Sequence, residues 1–289
     1  MSFLYNNFIA DVFLKLLEFV YNNVVSNYVA VVLLVLIVLK VILTPLELKQ
    51  RESSMKMMKI QHKVEDIKKR YTDPMAQSKK LQELYARENI KMTAGCLPTL
   101  AQFVILIAFF GALQHLAYNQ IVMQVAQAAK TGEAIELTGF LWVRNIWQAD
   151  SGSALVMPTL KQWEQILKTV TPEVAALVQG IDYEAVIQPT LTAYSGYSNG
   201  WYILPIVQGV TMYFAMGYSM NATVANPQDN PMSGPMMKLM MAGMTTWFCL
   251  SANTLFTMYW IFTNLFMFIQ TFLFKKYFEY KDKKQEENK

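Results

Sequence analysis

Residues 28–43 read YVAVVLLVLIVLKVIL, and Thr44-Pro45 follow. Every residue in that run is apolar except Lys40. A helix needs about 20 mostly apolar residues to cross a ~30 Å hydrocarbon core, so the run reads as a membrane span. Working outward, four further segments read the same way: Leu97–Leu116, Trp201–Tyr218, Met236–Leu250 and Leu255–Phe274. Met236–Leu250 is the shortest, about 22 Å long at 1.5 Å per residue. Breaks are expected at Pro45, Gly95, Gly200, and from Asn226-Pro227 to Pro235. Of the 289 residues, 54% are hydrophobic and 16% charged, whereas a soluble domain carries about 25% charge. Mean hydropathy is +0.22. These figures exclude a soluble enzyme of this size. The expected fold is an all-α polytopic membrane protein with five transmembrane helices, an N-terminal interfacial amphipathic helix and a cytoplasmic helical hairpin.

The first 22 residues differ from the spans. Ile9, Val12, Phe13, Leu16, Leu17 and Val20 recur at helical spacing, and Asp11, Lys15, Glu18 and Asn22 line the other face. Such a helix lies in the interface rather than across it. A cleaved signal peptide is not expected, because there is no basic n-region and Asp11 and Glu18 interrupt the apolar stretch.

Charge sets the orientation. Residues 49–95 hold 12 of the 25 Lys and Arg, and Lys275–Lys289 holds 6. Residues 119–200 hold only Lys130, Arg144, Lys161 and Lys168, against seven Asp and Glu. The positive-inside rule puts 49–95 and the C-terminus in the cytoplasm. Five spans then put the N-terminus outside and the 221–235 loop inside, one parity satisfying all three assignments. The expected organisation is an external helix over 1–26, spans over 27–48, 96–118, 201–220, 236–252 and 253–275, a hairpin over 49–95, an extracellular loop over 119–200 and a basic tail over 276–289.

In the 49–95 segment Met57, Ile60, Val64, Ile67 and Tyr71 follow a near-heptad seam, and Leu81, Leu84 and Tyr85 start a second stripe. Thr72-Asp73-Pro74 is the expected tip, with Asp73 capping a helix that starts at Pro74. The segment serves either as a solvated link or as a paddle for ribosome, lipid or nascent chain. In the outer loop, short helices are expected within 159–178, with Thr171 as a cap before Pro172.

Lys40 is the charge that demands explanation. An ionised side chain at bilayer depth costs about 2.5–3.5 kcal/mol on insertion scales. It either snorkels to the cytoplasmic headgroups or faces a wet cavity. Candidate co-liners of such a cavity are Gln102, Gln208, Thr257, Thr263 and Asn264, with Trp260 beside them. No catalytic constellation, metal set or phosphate cradle is apparent: two His and two Cys cannot make a usual zinc site, and the 12 Gly are scattered. No cofactor, no enzymatic activity and no DNA partner are expected.

The run Lys40-Val41-Ile42-Leu43-Thr44-Pro45-Leu46-Glu47-Leu48-Lys49-Gln50 resembles the first span of the YidC insertase family, which carries a basic residue five before the Pro. The resemblance continues at Gly95-Cys96-Leu97-Pro98, Phe140-Leu141-Trp142, Tyr202-Ile203-Leu204-Pro205-Ile206, Gly209-Val210-Thr211 and Tyr259-Trp260 with Asn264. These landmarks occur in order along the chain, outside about 151–200. The likeness is to the compact Gram-positive-like form. It implies a bacterial plasma-membrane insertase and chaperone that folds nascent membrane proteins, alone or beside the Sec translocon, through a hydrophilic groove. Lys40 matches the groove base, usually Arg in that family. Asn253-Thr254-Leu255 stand where the family has a Pro-Ala-Gly turn. The basic cluster Lys275, Lys276, Lys281, Lys283 and Lys284 suits anionic lipid or ribosomal RNA. The alternative is a small multi-span transporter or channel, which would show internal repeats; the 28–116 and 201–274 halves share none.

Overall fold

A computed structural model of the chain describes residues 8–88, 93–221 and 235–287. Among them the structure is helical, with one isolated antiparallel bridge between Phe140 and Val143. In chain order the helices are α1 Phe8–Asn23, α2 Tyr28–Lys59, α3 Gln61–Arg70, α4 Pro74–Arg87, α5 Thr93–Thr131, α6 Leu160–Leu167, α7 Pro172–Ala176, α8 Tyr183–Ala193, α9 Ile203–Asn221, α10 Pro235–Cys249 and α11 Thr254–Glu287. Three of them contain stretches long and apolar enough to cross a membrane: Tyr28–Met57, Gln102–Thr131 and Thr254–Lys281. Helices α9 and α10, expected as spans, have 19 and 15 helical residues. The expected 221–235 loop lies almost entirely outside the described residues.

Several expected breaks are absent. Helix α2 runs through Pro45 to Lys59. Proline removes one donor, the bond that would reach the Val41 carbonyl. Next to it the Thr44 hydroxyl donates to the Lys40 carbonyl at 2.7 Å, the kind of side-chain compensation that lets Pro sit inside membrane helices. Helix α5 likewise passes Gly95 and Pro98 and continues to Thr131, well past the expected end of its span at 118. Helix α11 continues to Glu287, so the basic residues expected as a tail lie on its last turns.

The chain divides into two compact units. The first comprises residues 1–36, 105–211 and 242–263. Its core is aromatic: Phe109 meets Phe13 edge-on at 5.4 Å and lies 4.6 Å from Tyr259, and Phe256 meets Phe110 edge-on at 4.5 Å. The expected apolar face of α1 divides in two. Ala10, Phe13 and Leu17 are buried against protein, while Phe8, Ile9, Val12 and Phe19 stay exposed. With Asp11, Lys15 and Glu18 exposed on the remaining arc, α1 has one stripe for protein, one for an apolar medium and one for water.

The segment between α5 and α9 in this unit is held by buried polar side chains. Asn145 donates to the Val156 carbonyl at 2.7 Å, and Asn199 donates to the Asn145 and Ala149 carbonyls at 2.9 and 2.8 Å. The Asp150 carboxylate accepts from the amides of Trp201 and Leu204, both at 2.7 Å, and from Trp142 Nε1 at 3.2 Å. It thereby caps the start of α9. A Cβ on Gly200 would run into that carboxylate, which explains a glycine there. Thr171 occupies the N-cap position of α7, but its side chain makes no capping bond. The side-chain cap is instead at Thr159, in a reciprocal box with Gln162 at the start of α6. A third short helix, α8, was not expected; Asp182 caps it. Before α11, Asn253 accepts from the Phe256 amide at 2.9 Å, the role of a capping turn.

The second unit comprises residues 37–104, 212–241 and 264–289. Its α3 and α4 pack against each other and bury no side chain of their own; Ile60, between α2 and α3, is buried. Asp73 accepts from the amides of Met75 and Ala76 at 3.4 and 2.9 Å, with Pro74 in the first helical turn. Gln77 closes the turn by donating to the carbonyls of Lys68 and Tyr71. Lys63 sits 2.7 Å from Glu88 and holds that carboxyl below its ordinary range. Asp73→Ala should destabilise this turn by about 1 kcal/mol, the usual loss for a removed cap. Amide exchange at Met75 and Ala76 should quicken several-fold, with rates in α6 unchanged as the control.

Candidate functional site

Lys40, Thr44, Glu47 and Arg51 are spaced by four, three and four residues, which puts them on one face of α2. That face is polar inside a helix whose other residues at this level are apolar and exposed, including Val38, Val41 and Ile42 at 53%, 62% and 67%. Exposed aliphatic surface of that extent on a long helix fits a lipid environment.

The polar face lines a cavity of about 270 Å³ within the second unit. Lys40 Nζ donates to Glu47 Oε1 at 3.1 Å, and the two side chains are only 16% and 10% exposed. Gln102 from α5 donates to the same oxygen at 2.9 Å. Gln270 from α11 donates to the Thr44 hydroxyl at 3.4 Å. Further along, Arg51 Nη1 donates to Thr271 Oγ1 at 3.1 Å, and its guanidinium lies 6.0 Å from the Phe274 ring centre. Arg51 Nη2 is buried with no hydrogen-bond partner among the described residues. Ser54 from α2, with Ser219 and Met267, completes the wall. Lys40 and Arg51 bring two positive charges and Glu47 one negative, so the cavity is cationic by one unit, with donors in excess of acceptors. Chemically it suits carboxylates, peptide carbonyls and water.

The predicted site residues do not all meet here. Lys40 and Gln102 are brought together, around Glu47. Asn264 belongs to the same unit and is 2% exposed, yet it is not among the cavity's lining residues. Gln208 and Trp260 belong to the first unit. There Gln208 donates to Thr245 Oγ1 at 3.1 Å, and Trp260 packs edge-on against Phe256 at 6.1 Å. The tip residues Thr72, Asp73 and Pro74 form the α3–α4 turn. Of the basic cluster, Lys281 lies 3.4 Å from Glu52 and Lys276 lies over the Phe272 ring at 4.6 Å. Glu47 and Arg51 are missing from the expected site because a break is expected at Pro45 and the span is expected to close at 48, which cuts the helical face short. The signal was available as the 4-3-4 spacing of polar residues starting at Lys40.

The first unit has its own, larger cavity of about 600 Å³, lined by Gln114, Gln148, Ser153, Lys161, Gln165 and Asn253 among others. Its polar groups are mostly neutral amides and hydroxyls. Among the described residues, no group of three or more His, Cys, Asp or Glu is arranged to hold a metal ion.

Comparisons with known proteins converge on one family. The family model described as the 60Kd inner membrane protein matches residues 19–283. A membrane protein insertase YidC from Fusobacterium nucleatum is 30% identical over 222 residues, covering 75% of this chain and 98% of its own length. One from Caldanaerobacter subterraneus is 26% identical over 201 residues, covering 69% of this chain and 84% of its own. One from Clostridium tetani is 26% identical over 167 residues, covering 56% and 68%. Alignment over nearly all of a relative's length, together with a family match that takes in both the polar face of α2 and all of the long apolar helices, means that this chain belongs to the YidC family of membrane protein insertases.

Proposed function

We propose that this chain inserts nascent membrane proteins into a bacterial membrane by receiving their hydrophilic flanks in the cavity around Lys40. The observation that carries the reading is a part-buried, charged and hydrogen-bonded face on a helix otherwise clothed in exposed aliphatic residues. A polar flank entering such a cavity exchanges water for Lys40, Arg51 and the amides of Gln102 and Gln270. The accompanying apolar segment leaves into lipid, driven by about 25 cal/mol per Å² of surface removed from water. The membrane potential adds its pull on charged tails. Asn264, in the same unit, serves as a further groove group in this proposal, and the groove opens to cytoplasm and lipid.

The topology belongs to the proposal too. Five spans place the N-terminus outside and the α3–α4 hairpin and basic C-terminal turns in the cytoplasm, where they meet ribosome, Sec translocon and anionic lipid. Cysteines introduced within 52–88 and 278–287 should resist an impermeant thiol reagent added outside whole cells; labelling of either region would overturn this orientation.

The test of function uses the full chain reconstituted in anionic lipid vesicles. A single-span model substrate with a short acidic tail is synthesised alongside, and protease protection of the tail is read. Protection well above that of empty vesicles is expected. Absence of protection, with an ion or solute flux appearing instead, would favour the transporter or channel reading.

A further inference from the structure

Lys40 is not held ready for a ligand: its ammonium already has a carboxylate. Glu47 lies two helical turns further along α2, and its Oε1 takes one bond from Lys40 at 3.1 Å and one from Gln102 at 2.9 Å. A carboxylate from a passing chain would have to use the same donor. We propose that Glu47 is an internal competitor for Lys40, a specificity-determining residue that a substrate carboxylate must displace before its flank is retained. This rests on the insertase reading of the cavity and adds a gate on charge to it.

The geometry supports displacement rather than a permanent lock. Both partners sit on one helix, so the pair links no two elements and opening it breaks no tertiary contact of α2. Gln102, from α5, remains as a donor to the displaced Glu47, so that carboxylate is not left bare. Lys40 has four carbons of freedom and can turn toward the cavity space, where Arg51 supplies a second cation whose buried Nη2 has no hydrogen-bond partner among the described residues. A two-point receptor for an acidic flank is thereby assembled only when Glu47 gives way. Neutral flanks need no exchange, and basic flanks find Glu47 as an acceptor. Wild-type protein is thus expected to discriminate less by tail charge than a cavity holding Lys40 and Arg51 alone.

The experiment compares one single-span substrate carrying Asp, Asn or Lys at the same tail positions, inserted into vesicles containing the full-length wild type, Glu47→Gln, or Lys40→Ala/Glu47→Gln. Glu47→Gln keeps the shape and the bond from Gln102 while removing the charge. The ratio of Asp-tailed to Lys-tailed insertion should rise by about tenfold, the scale of a charge-assisted hydrogen bond released from competition. The double variant should lose that gain, because the gain acts through Lys40. Glu47→Met, unbranched, uncharged and of similar length, should shift the ratio in the same direction and serves if the Gln form does not accumulate. An unchanged ratio overturns the proposal. So does an equal loss with all three tails, which would mean that Glu47 only props the helix, and so does a gain that survives in the double variant. A wild type that inserts no tail above empty vesicles brings down the insertase reading and this one with it, whereas wild-type insertion with an unmoved ratio removes the role of Glu47 alone.

Discussion

Lys40→Glu should nearly abolish insertion of an acidic-tailed substrate, by about 10- to 100-fold, while Lys40→Arg retains most of it. The substitution puts a second carboxylate where the first already lies, 3.1 Å from Glu47 in the wild type. Two like charges brought into one enclosed site repel each other. Arg51 would be left as the single cation of the cavity, and the approaching acidic tail would meet net negative charge instead of net positive. Arginine keeps the charge, and its planar fork adds donors. Lys40→Ala falls between the two, for a reason specific to this structure. A Lys that only snorkelled could be truncated without harm, since removing a charge lowers the cost of insertion. Here truncation leaves Glu47 with Gln102 as its donor and without the ammonium beside it, a cost below the about 3–5 kcal/mol of a fully buried broken pair. The double variant Lys40→Ala/Glu47→Gln separates the contributions: it should recover folding and neutral-tailed insertion but not acidic-tailed insertion. Protease protection of the tail in vesicles measures all four forms. Equal insertion of the acidic tail by the Lys, Ala and Glu forms would leave snorkelling as the account of Lys40.

Three of the five expected apolar runs, those within Tyr28–Met57, Gln102–Thr131 and Thr254–Lys281, were the most legible part of the sequence, because hydropathy over some 20 residues is a cumulative signal that no single substitution hides. The amphipathic start, the Asp73-Pro74 cap and the basic residues at the end of the last helix were legible for a similar reason: each is a local pattern with a local cause. What failed was punctuation. Pro45 was read as a stop, yet α2 continues for 14 residues beyond it. In a membrane helix the alternative to an intact helix is bare backbone in lipid, so the chain accepts a missing rung where water would let it end. That one misplaced boundary also hid the site. With a break at Pro45 and the span closing at 48, Arg51 falls in the expected hairpin, Glu47 falls past the break, and Lys40 looks like an isolated charge. Once the helix is continuous, the spacing from Lys40 through Thr44 and Glu47 to Arg51 is a single face.

Groove residues proposed from distant segments fared less evenly. Gln102 joins Lys40 through Glu47, but Gln208 hydrogen-bonds Thr245 within the first unit. Nothing local distinguishes a glutamine that lines a cavity from one that ties two helices together, since both present the same amide at the same depth. The segment between α5 and α9 was opaque for a related reason. Its order comes from Asn145, Asp150 and Asn199, three side chains whose partners are backbone groups up to 54 residues away. Sequence periodicity cannot register a bond of that range.

Asp150→Ala should be the most damaging substitution outside the cavity. The carboxylate is 1% exposed and accepts three hydrogen bonds, from the Trp201 and Leu204 amides and from Trp142 Nε1. Two of those donors sit at the start of α9, where the helix dipole also favours negative charge. Around them the backbone is held in a costly form, with Tyr202 at φ 64°, a region that costs a non-glycine residue of order 1–3 kcal/mol. Alanine would leave the donors buried and unanswered and release the strain that the carboxylate restrains. The expected loss is about 3–5 kcal/mol for this part of the first unit. Asn should be milder, because it keeps one acceptor oxygen, although its NH₂ then faces a backbone donor. Gly200→Ala should resemble Asp150→Ala without touching the carboxylate, since its methyl group would occupy the space of the Asp150 side chain. Limited trypsin digestion of the detergent-solubilised protein reads this directly. Cleavage at Arg144, Lys161 and Lys168 should accelerate at least tenfold over the wild type in Asp150→Ala and Gly200→Ala. Cleavage at the exposed lysines of α3 and α4 should not change, because those helices belong to the other unit. Uniform acceleration at all sites would mean that the Asp150 cap supports the whole protein and not the segment between α5 and α9 alone.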